Sequence, residues 1–245
     1  AGDTLLGCFL TWPTAGIAEL AALAGFDFLV LDAEHGFFTI ESIAAMAIAA
    51  DAARIPAIVR VPSCGAAEIG RSLDAGAAGL LFPRGDGFAA IREAVTASRY
   101  PPQGRRGLGG VRANRYGAVP FDRWVADSNA SNLLAAQIET PGALADLDAI
   151  SREDGLDVLF VGPNDLTQAL GIPGRFEDPR YRDALGRVAR AARDGGKAAG
   201  IMLARREQVS ELQEAGFRFF TVSDRTLLLE SGRAWRGAVP RPTGA

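Results

Sequence analysis

Eight short apolar runs punctuate this chain, each of strand length, with helix-like stretches between them. The runs are Leu5–Leu10, Phe28–Leu31, Ala57–Val61, Gly79–Phe82, Leu133–Ile138, Val158–Val161, Ala198–Met202 and Phe219–Val222. They are continuously apolar rather than alternating. A strand with one face in water alternates, whereas a strand buried on both faces does not, as in a parallel sheet covered by helices. The intervening stretches are Ala15–Ala24, Thr39–Ala53, Ala66–Ala75, Phe88–Ser98, Pro141–Ile150, Pro179–Arg193 and Arg205–Ala215. The pairs Ala24-Gly25, Ala75-Gly76 and Ala215-Gly216 read as helix C-terminal turns leading into strands. Eight β-then-α units predict an α/β chain closed into a (β/α)8 TIM barrel. The 245 residues suit one such core, so 1–245 reads as a single domain. Val239–Ala245 reads as a flexible tail or as an arm on a neighbour.

One interval breaks the rhythm. Between Arg99 and Asn132 lie a Gly- and Arg-rich loop and a short helix expected at Phe121–Asp127. A connection that long is usually functional or a contact surface. Arg105, Arg106, Arg112 and Arg115 could hold an anionic substrate, or could face solvent or a second subunit.

Composition excludes several classes. A net charge of −3 with acids and bases interspersed leaves no stripe for nucleic acid. No apolar run nears the roughly 18 residues of a membrane span, and no signal peptide is apparent. Cys8 and Cys64 form no metal or redox motif, which fits a reducing cytoplasm. There is no Gly-x-Gly-x-x-Gly after the first strand, no phosphate-binding loop and no zinc spacing.

Active sites of such barrels lie at the carboxyl ends of the strands. The second strand is followed by Asp32-Ala-Glu34-His35-Gly36, the third ends at Arg60 and the fourth leads into Pro83-Arg84. The fifth reaches Glu139, the sixth Gly162-Pro163-Asn164-Asp165, and the eighth Ser223-Asp224. Gly162 permits a close backbone approach, Pro163 fixes the turn, and Asn164 or Asp165 could cap the following helix. Glu139 and Asp165, on successive strand tips, supply the oxygen ligands that a hard divalent ion prefers. Two carboxylates leave room for water and substrate. Arg60 ends a buried strand, so it needs an acid or a substrate oxyanion as partner. His35 is the only histidine and falls on this rim. The only lysine, Lys197, precedes the seventh strand at the other rim, which argues against imine chemistry.

These motifs occur together and in order: Leu31-Asp-Ala-Glu-His-Gly36, Val59-Arg-Val-Pro62, Leu73-Asp-Ala-Gly76, Arg99-Tyr-Pro-Pro102, Arg106-Gly-Leu-Gly109, Gln137-Ile-Glu-Thr140 and Val161-Gly-Pro-Asn-Asp-Leu166. The chain resembles the HpcH/HpaI family of class II pyruvate aldolases over nearly its whole length. The resemblance implies a barrel of the phosphoenolpyruvate/pyruvate-binding type that uses Mg²⁺, Mn²⁺ or Co²⁺. It also implies reversible cleavage of 4-hydroxy-2-oxo acids to pyruvate and an aldehyde through a metal-stabilised pyruvate enolate. Carried over by position, Glu139 and Asp165 would hold the metal. Arg60 would bind the pyruvyl oxygens, and His35 would transfer a proton with support from Asp74. Gln137, Gly162, Pro163, Asn164 and Asp165 would line the pyruvyl site. A homo-oligomer, trimer or hexamer, is implied, with a neighbour completing the pocket.

Departures concern the aldehyde end. Phe9 stands where relatives can have tryptophan, and Phe82-Pro-Arg84-Gly-Asp86 replaces a more apolar segment. Phe37, Phe38 and Met202 could favour an apolar or aromatic aldehyde or could simply pack. Asp74 maps to the rim opposite His35, so it could serve that histidine only across a subunit interface. Two other reactions suit the same metal-enolate site, decarboxylation of oxaloacetate and cleavage of an acyl-CoA, with Arg105–Arg115 contacting a CoA phosphate in the latter.

Overall fold

The computed structural model describes residues 3–239. Eight strands run β1 Leu5–Leu10, β2 Phe28–Asp32, β3 Ala57–Arg60, β4 Gly79–Phe82, β5 Leu133–Gln137, β6 Val158–Val161, β7 Ala198–Met202 and β8 Phe217–Ser223. Each pairs in parallel with its sequence neighbours, and β8 pairs with β1, so the sheet closes as a barrel. The helices are α1 Ala15–Leu23, α2 Ile40–Ala53, α3 Ala66–Asp74, α4 Phe88–Ser98, α5 Phe121–Ser131, α6 Pro141–Ala145, α7 Leu147–Ser151, α8 Pro163–Ala169, α9 Pro179–Asp194, α10 Gln208–Glu214 and α11 Asp224–Ala238. The (β/α)8 barrel read from the apolar runs is the fold observed. Of the expected tail, all but Val239 lies outside the described residues.

The continuous apolar runs are explained by two cores. One set of strand side chains fills the barrel: Phe9, Phe28, Val30, Ile58, Leu81, Ala135, Val158, Phe160 and Phe219. Their neighbours along each strand, such as Leu29, Leu31, Leu80, Leu134 and Leu159, pack outward against the helices. Each such side chain contributes about 1.5–3 kcal/mol by leaving water. Phe28 stacks on Phe219 with centroids 4.3 Å apart, and Phe160 meets Phe219 edge-on. The interior is therefore a solid floor, and ligands are confined to its mouth.

Several boundaries differ from the sequence reading for identifiable reasons. The stretch Pro141–Ile150 is two helices, interrupted at Asp146, whose carboxylate accepts the Phe88 N–H. The helix expected from Arg205 begins at Gln208, because the Gln208 side chain accepts the Ala204 and Arg205 N–H groups and holds them in a turn. Strand β8 extends back to Phe217 through a register shift opposite Ala199 and Gly200. Helix α11 was not anticipated. None of its residues is buried, and Leu228, Leu229 and Trp235 are exposed on it.

Candidate active site

The mouth of the barrel is built from strand ends held in register. Asp32 ends β2 and Arg60 ends β3, and the two are paired neighbours across the ladder. Arg60 donates from Nε to Asp32 Oδ1 at 2.9 Å and from Nη2 to Asp32 Oδ2 at 2.6 Å. Its Nη1 lies 3.1 Å from Glu34 Oε2, and its guanidinium lies over the Phe9 ring at 4.9 Å. Asp32 Oδ1 also accepts the N–H groups of Glu34 and His35, so one carboxylate fixes both the arginine and the following turn. Such a bidentate pair sets orientation as well as charge. The acid that Arg60 requires is thus protein-borne. The sequence placed Asp32 and Glu34 on this rim but assigned them no part in holding Arg60. The signal was available: an arginine ending one buried strand, beside an aspartate ending the next.

A second group faces this one. Glu139 follows β5 and is 3% exposed. Its Oε1 accepts the Arg84 N–H at 2.8 Å, and its Oε2 accepts from Gln137 Nε2. Burial pushes the Glu139 carboxyl up to about 7, and the charges of Asp165 and Glu34 push the same way, outweighing the two donors. Glu34 is also raised, first by burial; Arg60 and His35 oppose that shift, while Asp32 and Asp165 reinforce it. His35 Nε2 lies 3.9 Å from Glu34 Oε1 with its side chain half exposed. Asp165 is in the first turn of α8. The helix starts at Pro163 with Gly162 as its N-cap and no side-chain cap bond, so the expected capping by Asn164 or Asp165 does not occur. Pro163 takes the first helical position, which moves both residues inside the helix.

These residues fit a hard divalent ion. Glu139 and Asp165 are oxygen donors whose mutual repulsion is not relieved by Arg60, because Arg60 is engaged by Asp32 and Glu34. Gln137 Oε1 is buried without a hydrogen-bond partner among the described residues. A Cβ on Gly162 would overlap Glu139 Oε2 and crowd Gln137 Nε2, so glycine keeps this cradle open. Among the described residues no three ligating side chains converge to close a metal cage. The donor set is therefore open, with most positions left to water and substrate.

The structure brings together His35, Arg60, Gln137, Glu139, Gly162, Pro163, Asn164 and Asp165 at the mouth, but not Asp74. That residue ends α3 at the far end of the barrel, where Arg106 Nη2 donates to its Oδ1 at 2.7 Å. Two other arginines of the long loop are also tied there, whereas the exposed Arg115 side chain has no partner among the described residues. Arg105 pairs with Glu93, and Arg112 with Asp51 and the Ala75 carbonyl. They anchor the loop rather than approach the acid cluster, so contact with an anionic substrate or CoA phosphate at this mouth is not supported. The two cysteines are unpaired, and burial pushes Cys8 up to about 12 and Cys64 up to about 11.

Comparison with known proteins identifies the family. The sequence profile of the HpcH/HpaI aldolase/citrate lyase family matches residues 5–229. The chain belongs to the HpcH/HpaI aldolase/citrate lyase family. A 4-hydroxy-2-oxovalerate aldolase of Novosphingobium aromaticivorans is 37% identical across 99% of this chain and 94% of its own length. A hydroxypyruvate/pyruvate aldolase of Roseobacter denitrificans is 35% identical across 95% of this chain and 91% of its own. The crystal structure of an HpcH/HpaI aldolase/citrate lyase family protein from Burkholderia cenocepacia superposes with a TM-score of 0.91 at 33% identity, covering 97% of this chain and 95% of that one. The chain's place in the HpcH/HpaI family makes it an enzyme of the carbon–carbon lyase type.

Proposed function

We propose that this protein is a class II pyruvate aldolase that reversibly cleaves 4-hydroxy-2-oxo acids to pyruvate and an aldehyde. Relatives named as aldolases for 4-hydroxy-2-oxovalerate and 2-keto-3-deoxy-L-rhamnonate support the reaction class. The observation that carries the reading is the pair Glu139 and Asp165, two acids beside an orphaned amide oxygen with no cation of their own among the described residues. They would hold Mg²⁺, Mn²⁺ or Co²⁺, whose Lewis acidity polarises the 2-oxo group of the bound substrate.

The chain's own residues do the rest. Arginine has five N–H donors, and Arg60 engages at most three with Asp32 and Glu34. The remaining donors can stabilise the oxygen on which charge develops as the C3–C4 bond breaks. Because Asp32 pins the guanidinium, that stabilisation needs no reorganisation during the reaction. His35, half exposed beside Glu34, is placed to take the 4-hydroxyl proton and return one to the product carbon. Gln137 and the backbone from Gly162 to Asn164 frame the pyruvyl end. The family's citrate-lyase side keeps oxaloacetate decarboxylation as an outcome to screen.

We assign the protein to the cytoplasm as a homo-oligomer, a trimer or hexamer, acting on small molecules. No helix among the described residues is long and apolar enough to cross a membrane, and both cysteines are free thiols. Helix α11 exposes Leu228, Leu229 and Trp235, a face that a second copy would cover. A role for Asp74 toward His35 requires that second copy, because the two lie at opposite ends of one barrel.

The test is pyruvate release from 4-hydroxy-2-oxo acids with and without chelator. Turnover that is lost with chelator and restored by Mg²⁺, Mn²⁺ or Co²⁺ is expected. Chelator-resistant turnover trapped by borohydride as an imine would refute the assignment.

A further inference from the structure

Arginines at the mouth of the barrel are mostly spoken for. Arg60 is held by Asp32 and Glu34, Arg175 lies 3.5 Å from Asp178, and Arg205 lies 3.5 Å from Glu177. Arg84 differs. It is exposed, and its guanidinium has no hydrogen-bond or salt-bridge partner among the described residues. Its main chain, by contrast, is fixed on every side. The Arg84 N–H donates to Glu139 Oε1 at 2.8 Å. The Pro83 carbonyl accepts from Cys64 Sγ at 3.3 Å, and the Gly85 carbonyl accepts from Thr140 Oγ1 at 3.2 Å. Arg84 also has φ 52°, in the left-handed region. A side chain there costs on the order of 1 kcal/mol that glycine would avoid. A long cationic side chain therefore stands on a rigid, strained strand tip, and its own main-chain N–H binds the acid that would hold the metal.

The acid cluster gives that cation a use. Glu34, Glu139 and Asp165 make the mouth strongly negative, and a bound divalent ion offsets two of those charges. A substrate with one carboxylate, at its 2-oxo end, can place that group against the ion. A second carboxylate beyond C4 would meet uncompensated acids unless a free cation stood nearby. Lys197 lies at the other end of the barrel.

We infer that Arg84 is a specificity residue, selecting 4-hydroxy-2-oxo acids, and aldehydes derived from them, that carry a second carboxylate distal to C4. This rests on the aldolase reading and deepens it. The probes are two matched pairs of aldehydes offered with pyruvate, glyoxylate against acetaldehyde and 4-oxobutanoate against butanal. The readout is the ratio of kcat/KM within each pair. In the metal-loaded wild-type protein the ratio favours the carboxylate-bearing member of at least one pair. It falls about tenfold or more in Arg84→Gln and in Arg84→Gly, the latter free of backbone strain, and Arg84→Lys retains part of it; a charged contact of roughly 1.4 kcal/mol or more has this size. Binding supplies a second readout that needs no turnover: 2-oxoadipate, which lacks the 4-hydroxyl, should lose more affinity than 2-oxohexanoate in both variants. Ratios unchanged in both variants, with turnover intact, overturn this inference alone. No turnover with any aldehyde overturns the aldolase reading and this inference with it.

Discussion

Two arginines of this barrel look alike locally and differ in every consequence. Arg60 and Arg106 are 7% and 6% exposed, each pairs with an aspartate, and each lies over an aromatic ring, Phe9 at 4.9 Å and Tyr100 at 4.6 Å. Arg60 sits at the carboxyl end of a strand, with a second acid at 3.1 Å and two more carboxylates beyond. Arg106 closes the long loop over the end of α3, with one partly exposed acid and a serine hydroxyl for company. A buried arginine pair therefore does not mark a site by itself. The surplus does. At Arg106 one charge meets one charge, whereas at Arg60 the acids outnumber the cation, and that excess is what a divalent ion would answer.

The most severe way to test the comparison is to remove the surplus. Glu139→Ala and Asp165→Ala should each lower metal-dependent turnover by about 10³-fold or more and weaken binding of Mn²⁺, measured by titration, at saturating substrate. Near-normal rates in either variant would mean that the excess acids serve no ion.

Next comes the pair of arginines themselves. Arg60→Ala strands Asp32, a fully buried carboxylate, and should cost roughly 3–5 kcal/mol of stability and lower turnover by about 10²–10³-fold. Arg106→Ala releases Asp74, whose side chain is 38% exposed and can rehydrate. Its cost should be roughly 1–2 kcal/mol, with turnover little changed. Denaturant melts and steady-state kinetics on both proteins separate the cases. Equal kinetic damage from the two substitutions would break the distinction and would point to Asp74 reaching a neighbouring subunit's His35.

Much of this was legible in the chain. The apolar runs gave all eight strands, because burial on both faces leaves the unbroken signature expected of a covered parallel sheet. The position of strand ends then listed Asp32, Glu34, His35, Arg60, Glu139 and Asp165 before any contact was visible. What the chain did not disclose were matters of register and side-chain direction. The strand order put Asp32 beside Arg60 but not the direction of either side chain, and the Arg84 N–H as a donor to Glu139 depends on a left-handed turn that no propensity favours. Helix α11, which buries none of its residues, was not counted among the helix-like stretches at all.

The smallest effect is also the most direct reading of the surplus charge. In the metal-free protein the Glu139 carboxyl is raised from 4.5 to about 7, chiefly by burial. Its folded value exceeds its unfolded one, so between those pH values the folded protein keeps a proton that the unfolded chain has released. Stability must then fall as pH rises through that window, by at most about 1.4 kcal/mol per unit, and flatten above it. Glu139→Gln cannot release that proton, so its melting midpoint should lack this decline. The comparison is of wild-type and variant midpoints between pH 5 and pH 8 with chelator present. A saturating divalent ion should restore most of the lost stability in the wild-type protein at pH 8 and little in the variant, because the ion then takes the place the proton held. Parallel pH profiles for the two proteins would show that Glu139 binds its proton no more tightly in the folded chain than in the unfolded one, and the contrast between the two arginine clusters would reduce to one of position alone.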